Sequence, residues 1–143
     1  MNLPLFIKRM LHGGSGRLCP TEQSLLDALR GRLSAEDALA LEEQVRDVEF
    51  VQNQNNHVVA VWYRRDTQAR QFVGEEFCLA KVSLEEKGRK SSATIGVYRG
   101  RMQTFEYTRR PKKEFSVVDV QIRPKKAVSA AAALNRLEHG NED

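Results

Sequence analysis

The side chains best suited to chemistry are three histidines, His12, His57 and His139, two cysteines, Cys19 and Cys78, and the acid pairs Glu75–Glu76 and Glu85–Glu86. A protein metal site takes about four such ligands, supplied at short spacing or gathered by the fold. No two of the histidines have that spacing and neither cysteine supplies one of them with a local partner, so neither a metal site nor a cofactor is expected. Cys78 as nucleophile with His57 as base would make a thiol enzyme if the fold joined them. Cys78 lies between Phe77 and Leu79, however, which is the setting of a small buried hydrophobe. Neighbouring residues on a strand point to opposite faces, so neither acid pair is aimed at one substrate atom. The glycine-rich run His12 to Gly16 lacks both G-x-S-x-G and G-x-x-x-x-G-K-[ST], and reads as a flexible joint. No catalytic residues are therefore expected, and an enzyme whose groups converge only in the fold is the last of three readings.

The run from Tyr98 to Lys113 is the candidate working surface. Arg99, Arg101, Arg109, Arg110, Lys112 and Lys113 surround Phe105 and Tyr107, which share one strand phase. Cations beside stacking aromatics are how sheet surfaces hold single-stranded nucleic acid. Arg101 follows Gly100 where the RNP1 pattern needs an aromatic, and the core-facing side of a strand explains Phe105 and Tyr107 equally well. These six cations are taken as partner-binding.

The net charge of +4 conceals an asymmetry. Residues 20–60 carry three basic residues against eight acids, whereas residues 81–126 carry thirteen against five. Such a dipolar chain either steers a charged partner or neutralises itself in the fold. Arg109, Arg110, Lys112 and Lys113 crowd around Pro111, which stiffens the turn that displays them, and an acidic partner is the simplest reason for that arrangement.

The elements that position these residues follow from periodicity. Residues 1–16 form an N-terminal segment in which Leu3 to Leu11 has helical spacing and Gly13 to Gly16 the joint. Its charges, Lys8 and Arg9, follow rather than precede its apolar residues, so it is not read as a signal peptide. Residues 17–48 read as a helical hairpin. Thr21 is its expected first cap, Leu25, Leu26, Leu29 and Leu33 its first stripe, Ser34 with Asp37 its second cap, and Ala38, Leu41, Val45 and Val48 its second stripe. From residue 49 to 123 the period becomes that of strands: Gln52 to Asn56 a polar turn, His57 to Tyr63 apolar in both phases with Trp62 expected to be buried, and Phe77 to Leu84 with Cys78, Ala80, Val82 and Leu84 on one face. Gly88 and the pair Arg99–Gly100 mark turns. Residues 125–139 have the alanine content of a closing helix.

With 143 residues, 41% hydrophobic and 29% charged, the chain fits a single domain with its own core. The fold class is α+β: a helical hairpin, a mostly antiparallel sheet of five or six strands, and a C-terminal helix. No apolar run approaches membrane-helix length. Cys19 and Cys78 read as reduced thiols, and a cytoplasmic location is expected. Small bacterial immunity proteins and adaptors share this profile, so a non-enzymatic protein-binding module is the first reading, with another protein of acidic surface as partner. A basic nucleic-acid-binding module is the alternative. An exposed sheet edge would also allow a homodimer.

Overall fold

A computed structural model describes residues 17–55, 57–112 and 114–123. The N-terminal segment 1–16 and the expected helix at 125–139 lie outside these residues, as does Lys113. Two helices precede six strands: α1 (Pro20–Arg30), α2 (Ala35–Arg46), β1 (Val48–Asn55), β2 (Val58–Tyr63), β3 (Glu76–Glu86), β4 (Arg89–Tyr98), β5 (Arg101–Tyr107) and β6 (Ser116–Ile122). The strands form one antiparallel sheet in the order β1-β2-β5-β4-β3-β6. The α+β class is as the periodicity implies.

α1 starts one residue earlier than its expected cap. Cys19 occupies the N-cap with no side-chain bond, and Pro20 takes the first helical position, where its missing N–H costs nothing. α2 starts as read, with Ser34 Oγ accepting from the Asp37 amide at 3.1 Å. Its stripe differs: Ala40, Leu41 and Gln44 are the buried residues, and Val48 already belongs to β1. Leu25, Leu26, Leu29 and Leu41 press onto Val59, Val82, Ile95 and Phe105 to make one core between helices and sheet.

Both tight turns of the meander are two-residue loops. Glu86 faces Arg89 across Lys87–Gly88, and Tyr98 faces Arg101 across Arg99–Gly100. All four loop residues have positive φ, between 51° and 80°, as a type I′ turn requires. Arg99 takes this conformation without being Gly or Asn, and its guanidinium lies 5.3 Å from the Tyr98 ring centroid.

Three expectations need correction. Gln52 to Asn55 is strand, not turn: as an edge strand, β1 exposes its polar side chains while its backbone pairs with Val58, Val59 and Ala60. In β3 a bulge at Leu79 shifts the phase. Leu79 and Ala80 are both fully buried, while Cys78 pairs with Gly96 on the other face, so Cys78 does not share a face with Ala80, Val82 and Leu84. Trp62, expected to be buried, is 36% exposed beside Phe50, because β2 turns only one face to the helices. Both edge strands carry register irregularities, two in β1 and one beside Val118 in β6, and such irregularities blunt an edge against pairing with another chain.

The loop from Arg64 to Glu75 is tied to α2. Asp47 receives Thr67 Oγ1 at 2.6 Å and pairs with Arg64, Glu43 accepts from the Arg70 amide, and Phe72 is buried beneath. Arg123 pairs with Asp37 while lying over the Phe77 ring at 4.2 Å. The acidic helix face is thus partly neutralised within the fold.

Candidate functional site

β5 runs from one end of the sheet to the other, so it separates the cations that sequence places together. At roughly 3.3 Å per residue its seven residues put Arg99 and Arg101 about 20 Å from Arg109. Phe105 and Tyr107 are 0% and 4% exposed and face the helices, where neither can stack on a base. That removes the aromatic platform on which the nucleic-acid alternative stood.

The far end of β5 is built around a buried carboxylate. Glu22, on the first turn of α1, is 0% exposed. Tyr107 donates its hydroxyl to Glu22 Oε2 at 2.6 Å, and Arg110 donates Nε and Nη2 to the two carboxylate oxygens, each at 3.1 Å. A planar guanidinium meeting both oxygens fixes the orientation of the Arg110 side chain. Burial disfavours the Arg110 charge, but its hydrogen bond to Glu22 and the carboxylate charge outweigh this and hold its pKa above the usual arginine value. The Tyr107 hydroxyl is pushed well above the usual tyrosine range, first by burial and then by the Glu22 charge.

Other bonds pin the turn that follows. Thr108 exchanges bonds with the Ser92 backbone, Arg109 Nη2 donates to the Lys90 carbonyl at 3.3 Å, and the Lys112 amide donates to Glu86 Oε2 at 3.1 Å. Pro111 is buried. Against this turn lies the β1–β2 connection: Tyr107 N donates to the His57 carbonyl at 2.7 Å, and Asn55 Oδ1 accepts from the amides of His57 and Val58. His57 Nδ1 sits 3.2 Å from the Tyr107 carbonyl, which can only accept, so in the neutral ring Nδ1 carries the proton and Nε2 is left as an acceptor. Thr21, Asn53, Asn55, His57, Arg109, Arg110, Pro111 and Lys112 enclose a recess of about 640 Å³. Neither the Arg109 guanidinium nor the Lys112 ammonium group forms an ion pair with a carboxylate among the described residues.

The other end of β5 is closed by backbone bonds. Gln44, also 0% exposed, donates to the carbonyls of Arg70 and Gly100 and accepts from the Met102 amide at 2.9 Å. Tyr63 donates its hydroxyl to the Met102 carbonyl. Arg101 is half-buried, with an Nε that has no hydrogen-bond partner.

The sheet face away from the helices holds a shallow depression of about 490 Å³ over Gly96, lined among others by Cys78, Thr94, Tyr98, Thr104 and Glu106. A Cβ on Gly96 would stand 2.6 Å from Thr104 Oγ1, so the glycine keeps this floor low. Cys78 lies in a cross-strand row with Gly96, Thr104 and Ala60, three strands from β2, which puts it roughly 14 Å or more from His57. Burial also pushes its thiol pKa up, away from the reactive thiolate. The pair does not form a nucleophile and base. Both cysteines are free. Among the described residues no group of three His, Cys, Asp or Glu could hold a metal ion, and no helix is long and apolar enough to cross a membrane.

The recess draws on Thr21, Asn53, Asn55 and His57, which lie 52 to 88 residues before Arg109 in the chain and which charge patterning could not connect to it. The signal that was present is the cation run around Pro111. Compared with models of protein families, with curated proteins and with solved structures, the chain matches none.

Proposed function

We propose that this is a non-enzymatic binding module of the immunity or adaptor kind, which engages another protein of acidic surface through the β5–β6 turn. The observation that carries this reading is the recess itself: Arg109 and Lys112 are held on a frame pinned by Glu22, Lys90 and Glu86, and neither side-chain charge forms an ion pair among the described residues. Cations presented on a rigid turn lose little freedom on binding and speed encounter with an acidic partner. Free thiols at Cys19 and Cys78 suit a reducing, cytoplasmic setting. The nucleic-acid alternative is not favoured by any observation, since Phe105 and Tyr107 face the core.

The test uses the double reversal Arg109→Glu/Lys112→Glu, leaving Arg110 in place because it answers Glu22. Both side chains are partly or fully exposed, so the thermal midpoint should stay nearly unchanged. Wild-type protein immobilised in lysate of its source cells should retain one stoichiometric protein that the reversed variant loses. Equal retention by both would overturn the proposal, and recovery of polynucleotide with a steep salt dependence would replace it by the alternative.

A further inference from the structure

We infer that the recess beside the β5–β6 turn is a slot for an extended acidic peptide segment, in which Arg109 and Lys112 take carboxylates while Asn55 and His57 hold the peptide backbone. This rests on the preceding reading and names the chemistry of the partner at that site. The argument turns on what each lining group has left to offer. Asn55 uses its Oδ1 on two backbone amides, so its amide NH₂ remains as a donor. Neutral His57 uses Nδ1–H on the Tyr107 carbonyl, so Nε2 remains as an acceptor. Asn55 and His57 both line the recess, so one donor and one acceptor are on offer to the C=O and N–H of a peptide unit, a pairing that an ionised carboxylate or a phosphodiester, which only accept, cannot satisfy.

Charge sets the side-chain preference. Arg110 is neutralised by Glu22, which leaves Arg109 and Lys112, separated by two residues and held apart by buried Pro111. Thr21 brings the uncapped start of α1 to the wall, where the first backbone N–H groups have no side-chain acceptor. Among the described residues that line the recess, only these two cations are left without an ion pair and no Phe, Tyr or Trp offers a ring for stacking, so the lining does not have the make-up of a nucleic-acid track. The two cations suffice for two carboxylates on one short segment.

Fluorescently labelled hexaglutamate, with hexaglutamine as control, is titrated with the full chain at low salt. Binding of the acidic peptide alone is expected. Arg109→Ala and Lys112→Ala should each weaken it roughly tenfold, the scale of one charge-assisted hydrogen bond, and His57→Ala should weaken it severalfold, while Arg99→Ala at the far hairpin leaves it unchanged. Amide resonances of Thr21, Asn55, His57 and Lys112 in the unsubstituted protein should shift on titration, a readout independent of whether any variant folds. Equal loss in Arg99→Ala, shifts centred elsewhere, or displacement of the peptide by oligothymidylate with a steep salt slope would overturn the inference. If the peptide ignores the recess but the double reversal still abolishes partner capture, this inference fails and the proposed function stands. If the peptide fills the recess while capture survives the reversal, the proposed function fails instead.

Discussion

The two ends of β5 are each held by one fully buried polar residue from a helix, but the two residues do different things. Gln44 of α2 is neutral and binds backbone: two carbonyls and one amide, which closes the Arg99–Gly100 hairpin against the loop at Arg70. Glu22 of α1 is a carboxylate and binds side chains, Tyr107 and Arg110, which positions a basic turn. A buried amide that meets backbone groups completes a structure and presents nothing. A buried carboxylate that orders an arginine builds a platform, and the cations beside that arginine are the ones left facing the recess.

Each end also buries a tyrosine hydroxyl, and alkali should break both. Burial pushes Tyr63 and Tyr107 above their ordinary value of 10.0, with the Glu22 charge adding to the effect at Tyr107. The fold therefore prefers the neutral phenols. Their contribution is complete below about pH 10 and falls as pH rises above it, because the unfolded chain ionises first. Tyrosinate absorbance from these two residues should appear together with loss of the circular-dichroism signal of the sheet, and ionisation well before unfolding would contradict their burial.

Next in size is Glu22→Ala, which leaves Arg110 and the Tyr107 hydroxyl without their partner and should cost about 3 to 5 kcal/mol in urea denaturation, the scale of breaking a buried ion pair. Gln44→Ala strands the Met102 amide and the Arg70 carbonyl but no charge, the Gly100 carbonyl keeping the Phe72 amide, and should cost about 2 to 3 kcal/mol. A larger loss at Gln44 than at Glu22 would reverse the comparison. The smallest contrast lies in the two hairpins. Gly88 and Gly100 share a positive φ, but a Cβ on Gly88 meets nothing within 4 Å, whereas one on Gly100 meets Gln71 Cβ at 2.8 Å. Gly100→Ala should thus be about 1 kcal/mol worse than Gly88→Ala, a difference due to packing alone.

The sequence made some of this legible and hid the rest for identifiable reasons. The hairpins at Gly88 and Gly100 and the Ser34 cap are local signals, and they appear where local signals imply. The phase of Cys78 was hidden because a bulge at Leu79 inserts one residue that alternation cannot foresee. Trp62 looked buried because an apolar strand does not announce which of its faces meets the helices. At the site, the turn around Pro111 was readable as a charge run. That Arg110 is neutralised was not, since Glu22 lies 88 residues away and looks like any acid on a helix's first turn.

The paired two-residue hairpins also govern how the chain reaches this structure. β3, β4 and β5 are joined by the shortest loops a chain can close, on the microsecond timescale of isolated hairpins. The bond between Tyr107 and Glu22 spans 85 residues and must wait for a larger entropic cost to be met. Sequence separation therefore predicts that the meander forms first and that α1 docks later, which φ-values from Gly88→Ala and Glu22→Gln would check. On that order, changes at Gly88 or Gly100 should act mainly on the rate of folding and loss of Glu22 mainly on the rate of unfolding, so that the residue that orders the basic platform would also set how long the native state lasts.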